Sequence, residues 1–110
     1  MTKQTTKYSA IHDAGLFLPG TLDLLQKLNQ KGELRNRDIM DKDIYHNGAV
    51  LADRLKRTQK HGLVKRNVKN IPGEQEVITY TLSEYGKQVI PLIEKIEEIT
   101  QTAKNKLKYF

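Results

Sequence analysis

Between Arg54 and Asn70 the chain carries seven basic side chains, Arg54, Lys56, Arg57, Lys60, Lys65, Arg66 and Lys69, and no Asp or Glu. The remainder of the 110 residues holds 12 basic and 13 acidic groups, so this stretch carries +7 against −1 elsewhere and accounts for the whole net charge of +6. A scattered basic excess is ordinarily a solvated lysine-rich surface, whereas a concentrated block creates a field that collects a polyanion. The chemistry on offer is neutralisation of phosphate by Lys and Arg, which supplies affinity for nucleic acid without reading its sequence.

Other chemistries find no residues to carry them. Cysteine is absent, which removes disulfides, thiolate zinc sites and cysteine nucleophiles together. His12, His46 and His61 stand at spacings with no local metal geometry. No HExxH, phosphate-binding loop or glycine-rich dinucleotide motif occurs. The reading is a non-enzyme without metal or cofactor. No apolar run approaches the ~18 to 20 residues of a membrane span, and Met1 to Ser9 lacks the apolar stretch of a signal peptide. A cytoplasmic location away from the membrane is therefore expected.

The basic residues must be positioned by short elements. Residues 1–7 are polar and read as a flexible terminus, and Tyr8 to Leu18 permits a short helix. Pro19 and Gly20 break it, Thr21 can cap, and Leu22, Leu25 and Leu28 define a helix from Thr21 to Lys31, ended by Gly32. Glu33 to Arg35 fits a very short strand, and Asn36 can cap one helix running through Asp41 with Ile39 and Met40 inward. Asn47 can cap the basic helix, whose apolar stripe is Val50, Leu51 and Leu55 and whose stop is Gly62. Leu63 to Val68 and Val77 to Leu82 alternate apolar and polar residues around Ile71-Pro72-Gly73-Glu74, the pattern of a β-hairpin. Ser83 can cap a last long helix, with a bend expected near Gly86 to Pro91.

With Val50, Leu51 and Leu55 inward, steps of ~100° place Ala49, Asp53, Lys56 and Lys60 on the opposite face, flanked by Ala52 and Arg57. Ala49 and Ala52 are small enough for close approach to base edges, and Asn47 has the groups for a paired contact with adenine. Lys56, Arg57 and Lys60 hold phosphates, and His46 and Arg37 join the DNA-facing set. Asp53, also on the DNA-facing side, is costly opposite a polyanion unless it accepts a hydrogen bond from a cytosine amino group or pins a nearby arginine, and pinning Arg54 or Arg57 is the favoured expectation. On the hairpin, Lys65 and Lys69 share one face and Arg66 takes the other, all within reach of phosphate.

In the last helix Val89, Leu92, Ile96, Ile99, Ala103, Leu107 and Phe110 recur at three- and four-residue steps. So long an apolar stripe exceeds what so small a domain can cover. Residues 86–110 are therefore assigned to dimerisation, and two recognition helices about one DNA turn apart suit a palindromic site. The fold class is mostly α (α+β), one domain over residues 1–110. It is a winged helix-turn-helix with a β-hairpin wing and a long C-terminal helix. Its expected partners are double-stranded DNA and a second copy of itself.

The runs Val50-Leu51-Ala52-Asp53-Arg54-Leu55-Lys56, Gly62-Leu63-Val64-Lys65-Arg66, Tyr80-Thr81-Leu82-Ser83-Glu84-Tyr85-Gly86 and Val89-Ile90-Pro91-Leu92 resemble the HxlR-type regulators, a branch of the MarR-like winged helix group. The resemblance covers about Leu22 to Ile96. It implies a dimeric DNA-binding transcriptional regulator with the Asn47 to Lys60 helix in the major groove, the hairpin as wing and the terminal helices as dimer interface. Family members commonly carry an N-terminal Cys and a Gly-Lys-Trp-like segment; Pro19-Gly20-Thr21 stands here, and thiol sensing does not carry over. Two other functions fit the composition: an architectural protein gripping duplex phosphates alone, and a winged helix used as a protein-interaction module. Asn47, Ala49 and Ala52 favour base reading over the first, and the +7 block disfavours the second.

Overall fold

In the computed structural model, which describes residues 9–107, the elements are α1 (Ala10–Ala14), α2 (Thr21–Lys31), α3 (Asn36–Ile39), α4 (Lys42–Tyr45), α5 (Gly48–Lys60), β1 (Val64–Lys69), β2 (Val77–Leu82) and α6 (Glu84–Leu107). Expectations for residues 1–7, Tyr8 and Phe110 lie outside the described residues. Leu24, Leu25 and Leu28 from α2 enter one hydrophobic cluster with Ile39, Tyr45, Leu51, Leu55, Leu63, Val64, Tyr80, Ile90 and Ile93. Every element from α2 to α6 thus contributes a buried side chain, and each large one is worth roughly 1.5 to 3 kcal/mol.

The first helix is shorter than its apolar spacing implied, because Gly15 adopts φ 68 and closes it after Ala14. α2 has the expected bounds but a different start. Gly20, at φ 91, is its N-cap, while Thr21 is buried and its hydroxyl donates to Gly15 O at 2.6 Å. The single helix expected through Asp41 is two. Met40 takes an extended ψ of 130 and ends α3; the Asp41 carboxylate then accepts from Asp43 N at 2.9 Å and caps α4. α4 exists to deliver Tyr45, whose buried hydroxyl donates to Gly20 O at 3.0 Å. A Cβ at Gly20 would lie 2.6 Å from the Tyr45 ring, so both its φ and its lack of a side chain are required.

β1 and β2 pair antiparallel with Val64 opposite Leu82 and Lys69 opposite Val77. β1 begins and ends one residue later than the alternation suggested. The turn Ile71 to Glu74 is closed by Glu74 N donating to Ile71 O at 3.0 Å, with Gly73 at φ 82. The strand expected over Glu33 to Arg35 is a single bridge, Leu34 to Tyr80.

α6 opens where Ser83 Oγ accepts from Gly86 N at 3.0 Å and donates to Gly62 O at 2.6 Å. Gly86 then lies against Leu63 O, where a Cβ would approach to 2.3 Å. The helix runs on through Pro91 without a break, although proline leaves the carbonyl four residues back without its helical partner. Ile90 and Ile93 turn into the core, and Gln26 Nε2 donates to Glu94 at 2.8 Å. From Glu94 to Leu107 every residue is exposed, and beyond Glu97, which still borders Leu16 and Leu22, the last ten residues extend about 15 Å further along the helix axis. The Cα radius of gyration, 16.3 Å, exceeds the ~13 Å of a compact chain this long for that reason. Among the described residues no helix is long and apolar enough to cross a membrane.

Burial, then Asp23 and Asp41, push the Tyr45 hydroxyl up to about 12 from its ordinary value near 10. A folded-state value above the unfolded one means that this contribution is fully present below pH 10 and is lost as pH rises through 12. The stability of wild type relative to Tyr45→Phe should therefore be constant up to pH 10. Between pH 10 and 12 it should fall by roughly 2 to 3 kcal/mol, measured by urea unfolding across that range.

Candidate nucleic-acid interface

The start of α5 is fixed by two residues. His46 sits at φ 65, ψ −47, and Asn47 N donates to Tyr45 O at 2.6 Å across it, which makes a γ-turn of the rare, strained hand. Asn47 follows in extended conformation and its side-chain oxygen accepts from Val50 N at 3.1 Å. α4, this turn and α5 form the helix-turn-helix unit.

Leu51, Leu55 and Thr58 point inward from α5, and the Thr58 hydroxyl donates to Arg54 O at 2.8 Å. The opposite face carries Ala49, Lys56 and Lys60, all exposed. Ala52 and Gln59 lie toward the hairpin, and Asp53 and Arg57 lie toward α1. Asp53 takes both arginines: it pairs with Arg54, and Arg57 Nε donates to its two oxygens at 3.0 and 3.2 Å. Neither arginine stops there. Arg54 Nε donates to Pro19 O at 2.8 Å and Arg57 Nη1 to Asp13 O at 3.1 Å. The sequence reading of Asp53 as a pin for arginine describes this geometry, while Arg57 commits its Nε and Nη1 donors within the protein and stays about a third exposed.

On the hairpin, Val64, Arg66 and Val68 share a face with their cross-strand neighbours Leu82, Tyr80 and Ile78, and Lys65, Asn67 and Lys69 occupy the other. Lys69 Nζ donates to Glu33 at 2.8 Å, and the other Glu33 oxygen accepts the Thr79 hydroxyl. Those two hydrogen bonds hold the Glu33 carboxyl below its usual value, so the tie persists through neutral pH and weakens only as pH falls below the ordinary glutamate range. Arg66 instead turns toward α5. There an open groove of about 540 Å³ is lined by Asn36, Ala52, Lys56, Gln59, Lys60 and Arg66, with Leu55 and Tyr80 at its base.

The structure thus brings Ala52, Lys56, Lys60 and Arg66 to one groove. Ala49, His46, Asn47, Arg37 and Lys65 are exposed but do not line it. Asn36 and Gln59 were missed. Gln59 stands seven residues after Ala52 and three after Lys56, a spacing that puts it on their side of a helix. Asn36 had no such signal, since only the returning hairpin brings it opposite α5. Among the described residues no group of His, Asp and Glu is placed to hold a metal.

On α6, Leu92, Ile96, Ile99 and Leu107 are 63, 47, 56 and 68% exposed, and Ala103 is exposed with them. Val89 is half-buried and packs on the domain core. Ile90 and Ile93, together with Val89, fasten α6 to its own domain, and these two isoleucines lie outside the single stripe that the spacing defines.

A family model described as HxlR-like helix-turn-helix matches residues 21–108. No curated protein matches the chain significantly. Among solved structures it is similar to a MarR-family transcriptional regulator from Enterococcus faecalis V583, at 26% identity over 99% of this chain and 98% of that one, with a TM-score of 0.67. It is also similar in fold to a PadR family transcription regulator from Clostridium difficile R20291 (15% identity, 80% and 96% covered, TM-score 0.69). A third similar fold is that of transcriptional regulator TA0346 from Thermoplasma acidophilum (16% identity, 88% and 94% covered, TM-score 0.66).

The two residues that open α5 should respond to mutation with opposite signs. Asn47→Ala removes the cap and should lower unfolding free energy by about 1 kcal/mol, with Asn47→Ser restoring most of it. His46→Gly relieves a positive φ and should raise stability by about 1 kcal/mol. Urea unfolding of the three variants checks both.

Proposed function

The chain belongs to the HxlR-like helix-turn-helix family, and from that premise we propose that it is a transcriptional regulator that binds double-stranded DNA with sequence preference, as a homodimer on palindromic sites. The observation that carries this reading is the shared surface of α5 and the hairpin. Small Ala49 and Ala52 stand beside Lys56, Lys60 and Arg66, and among the described residues none of these three cations has an acidic partner. Small side chains let a helix sit close to base edges, while the cations hold the flanking phosphates. Asn47 keeps a lone pair and two N–H donors beyond its cap, enough for a paired contact with adenine. Arg37, His46 and Lys65 supply phosphate contacts around this centre. Lys69 reaches phosphate only by leaving Glu33, and Asp53 and Arg57 support α5 rather than touch bases.

The homodimer rests on the exposed face of α6. Leu92, Ile96, Ile99, Ala103 and Leu107 form an apolar strip on a helix that has left its own core, and a second copy covers it by symmetry. A partner also sets two α5 helices at a fixed separation, which is what a palindrome requires.

Selection from a random duplex pool should return a two-fold symmetric sequence; a flat binding curve over unrelated duplexes overturns base reading. In salt titrations, Lys56→Ala and Arg66→Ala should each reduce the slope of log K against log salt by about one, on preferred and unrelated duplexes alike. Lys69→Ala should reduce it by less. Sedimentation should give a dimer for wild type and a monomer for the Ile96→Asp/Ile99→Asp double variant, since a charge in the middle of the strip is too costly to bury.

A further inference from the structure

Asp53 is an acid immediately before the most basic part of the chain, on the helix proposed to meet a polyanion. Its carboxylate holds Arg54 and Arg57, and each arginine passes the connection on to a backbone carbonyl of the N-terminal region. Arg54 reaches Pro19 O at 2.8 Å and Arg57 reaches Asp13 O at 3.1 Å. Arg54 is well covered, its side chain 13% exposed. α1 packs on α5, Ala14 is its one buried residue, Ile11 is half exposed, and Phe17 just beyond the helix is exposed. Beyond α1, Thr21 to Gly15 O and Tyr45 to Gly20 O brace the connection to α2, but neither reaches Asp13.

We infer that Asp53 is a positioning residue that makes α1, the segment up to Pro19 and α5 one rigid unit, so that the placement of α1 sets the placement of the DNA-reading helix. The inference rests on the proposal that α5 meets DNA. Without the carboxylate, two neighbouring guanidiniums repel each other and are drawn to phosphate instead of to Asp13 and Pro19. Loss of the charge therefore has two consequences of opposite sign: general attraction for DNA rises, and the fixed orientation on which base reading depends is lost. A carboxylate that merely repelled DNA would produce only the first.

The test compares full-length Asp53→Asn, Asp53→Glu and Arg57→Gln with wild type. Hydrogen exchange over residues 10–19, measured without DNA, should speed up in Asp53→Asn and Arg57→Gln and stay near wild type in Asp53→Glu. The affinity ratio between the selected duplex and an unrelated one should fall by about tenfold in Asp53→Asn, a typical coupling between sites, with affinity for the unrelated duplex unchanged or higher and the ratio recovered in Asp53→Glu. Faster exchange with the ratio intact would overturn the positioning role, and a lost ratio with unchanged exchange would assign Asp53 to direct base contact instead. If Asp53→Asn fails to fold, Arg57→Gln cuts the Asp13 connection alone and must show the same exchange. If wild type shows no duplex preference, the DNA proposal fails, while the exchange experiment still decides whether Asp53 fastens α1 to α5.

Discussion

Burial of Leu51 and Leu55 in the cluster built on Leu24, Leu25 and Leu28 is the constraint from which the rest of the surface follows. A helix has one rotation about its axis, and once those leucines are inside, Ala49, Lys56 and Lys60 have no alternative to solvent. The same rotation sends Ala52 and Gln59 toward the hairpin and Asp53 and Arg57 toward α1. Each flank of α5 meets a different neighbour and takes a different role. One borders an open groove with Arg66 and Asn36, and the other is closed by ion pairs and carbonyl contacts.

Close backbone approach is the second condition. α5 ends at His61, and the chain must return at once as β1 while α6 crosses the junction. Gly86 makes that crossing possible, because any side chain there would strike Leu63 O and Leu82. Gly20 does the same on the other side, where the Tyr45 ring lies against it and the Tyr45 hydroxyl reaches its carbonyl. Removing polar groups from water without a partner costs free energy, and within the described residues no buried side-chain polar atom is left without one. The short helices α3 and α4, too short to be stable alone, are held by tertiary contacts, α4 through Tyr45 on Gly20 and α3 through buried Ile39 and its packing on β2.

That dependence decides what the sequence disclosed. α2, α5, the hairpin and α6 were legible because each carries its own period, cap or breaker over enough residues for local geometry to dominate. α4 was not, since Lys42 to Tyr45 is a single turn whose reason lies at Gly20, 25 residues away. Lys56 and Lys60 followed from projecting one helix. Asn36 entered the groove only once the hairpin returned across it, and no single-element projection contains that information. The Asp53–Arg57 pair was visible as an i, i+4 spacing, whereas Pro19 and Asp13, 35 and 44 residues from their arginines, were not. On α6, a heptad-like stripe described the outward face well and missed Ile90 and Ile93, because a helix that serves two neighbours has two apolar faces.

The charge count changes meaning in the same way. Seven cations in Arg54 to Asn70 look like seven contacts for a polyanion, but three are already engaged: Arg54 and Arg57 on Asp53, and Lys69 on Glu33. Both acids lie beside the block in space, Asp53 next to it in sequence and Glu33 far from it. Lys56, Lys60, Lys65 and Arg66 have no acidic partner among the described residues. If all four neutralised phosphates, they would release counterions worth a salt slope of about −3.6 per protomer, against roughly −6 for all seven. A field that would draw in a polyanion arises from the whole block, but the cations left without an acidic partner among the described residues are four, on α5 and β1. The three engaged cations keep those elements in place: Arg54 and Arg57 through the N-terminal backbone, and Lys69 through the acid that also holds Thr79.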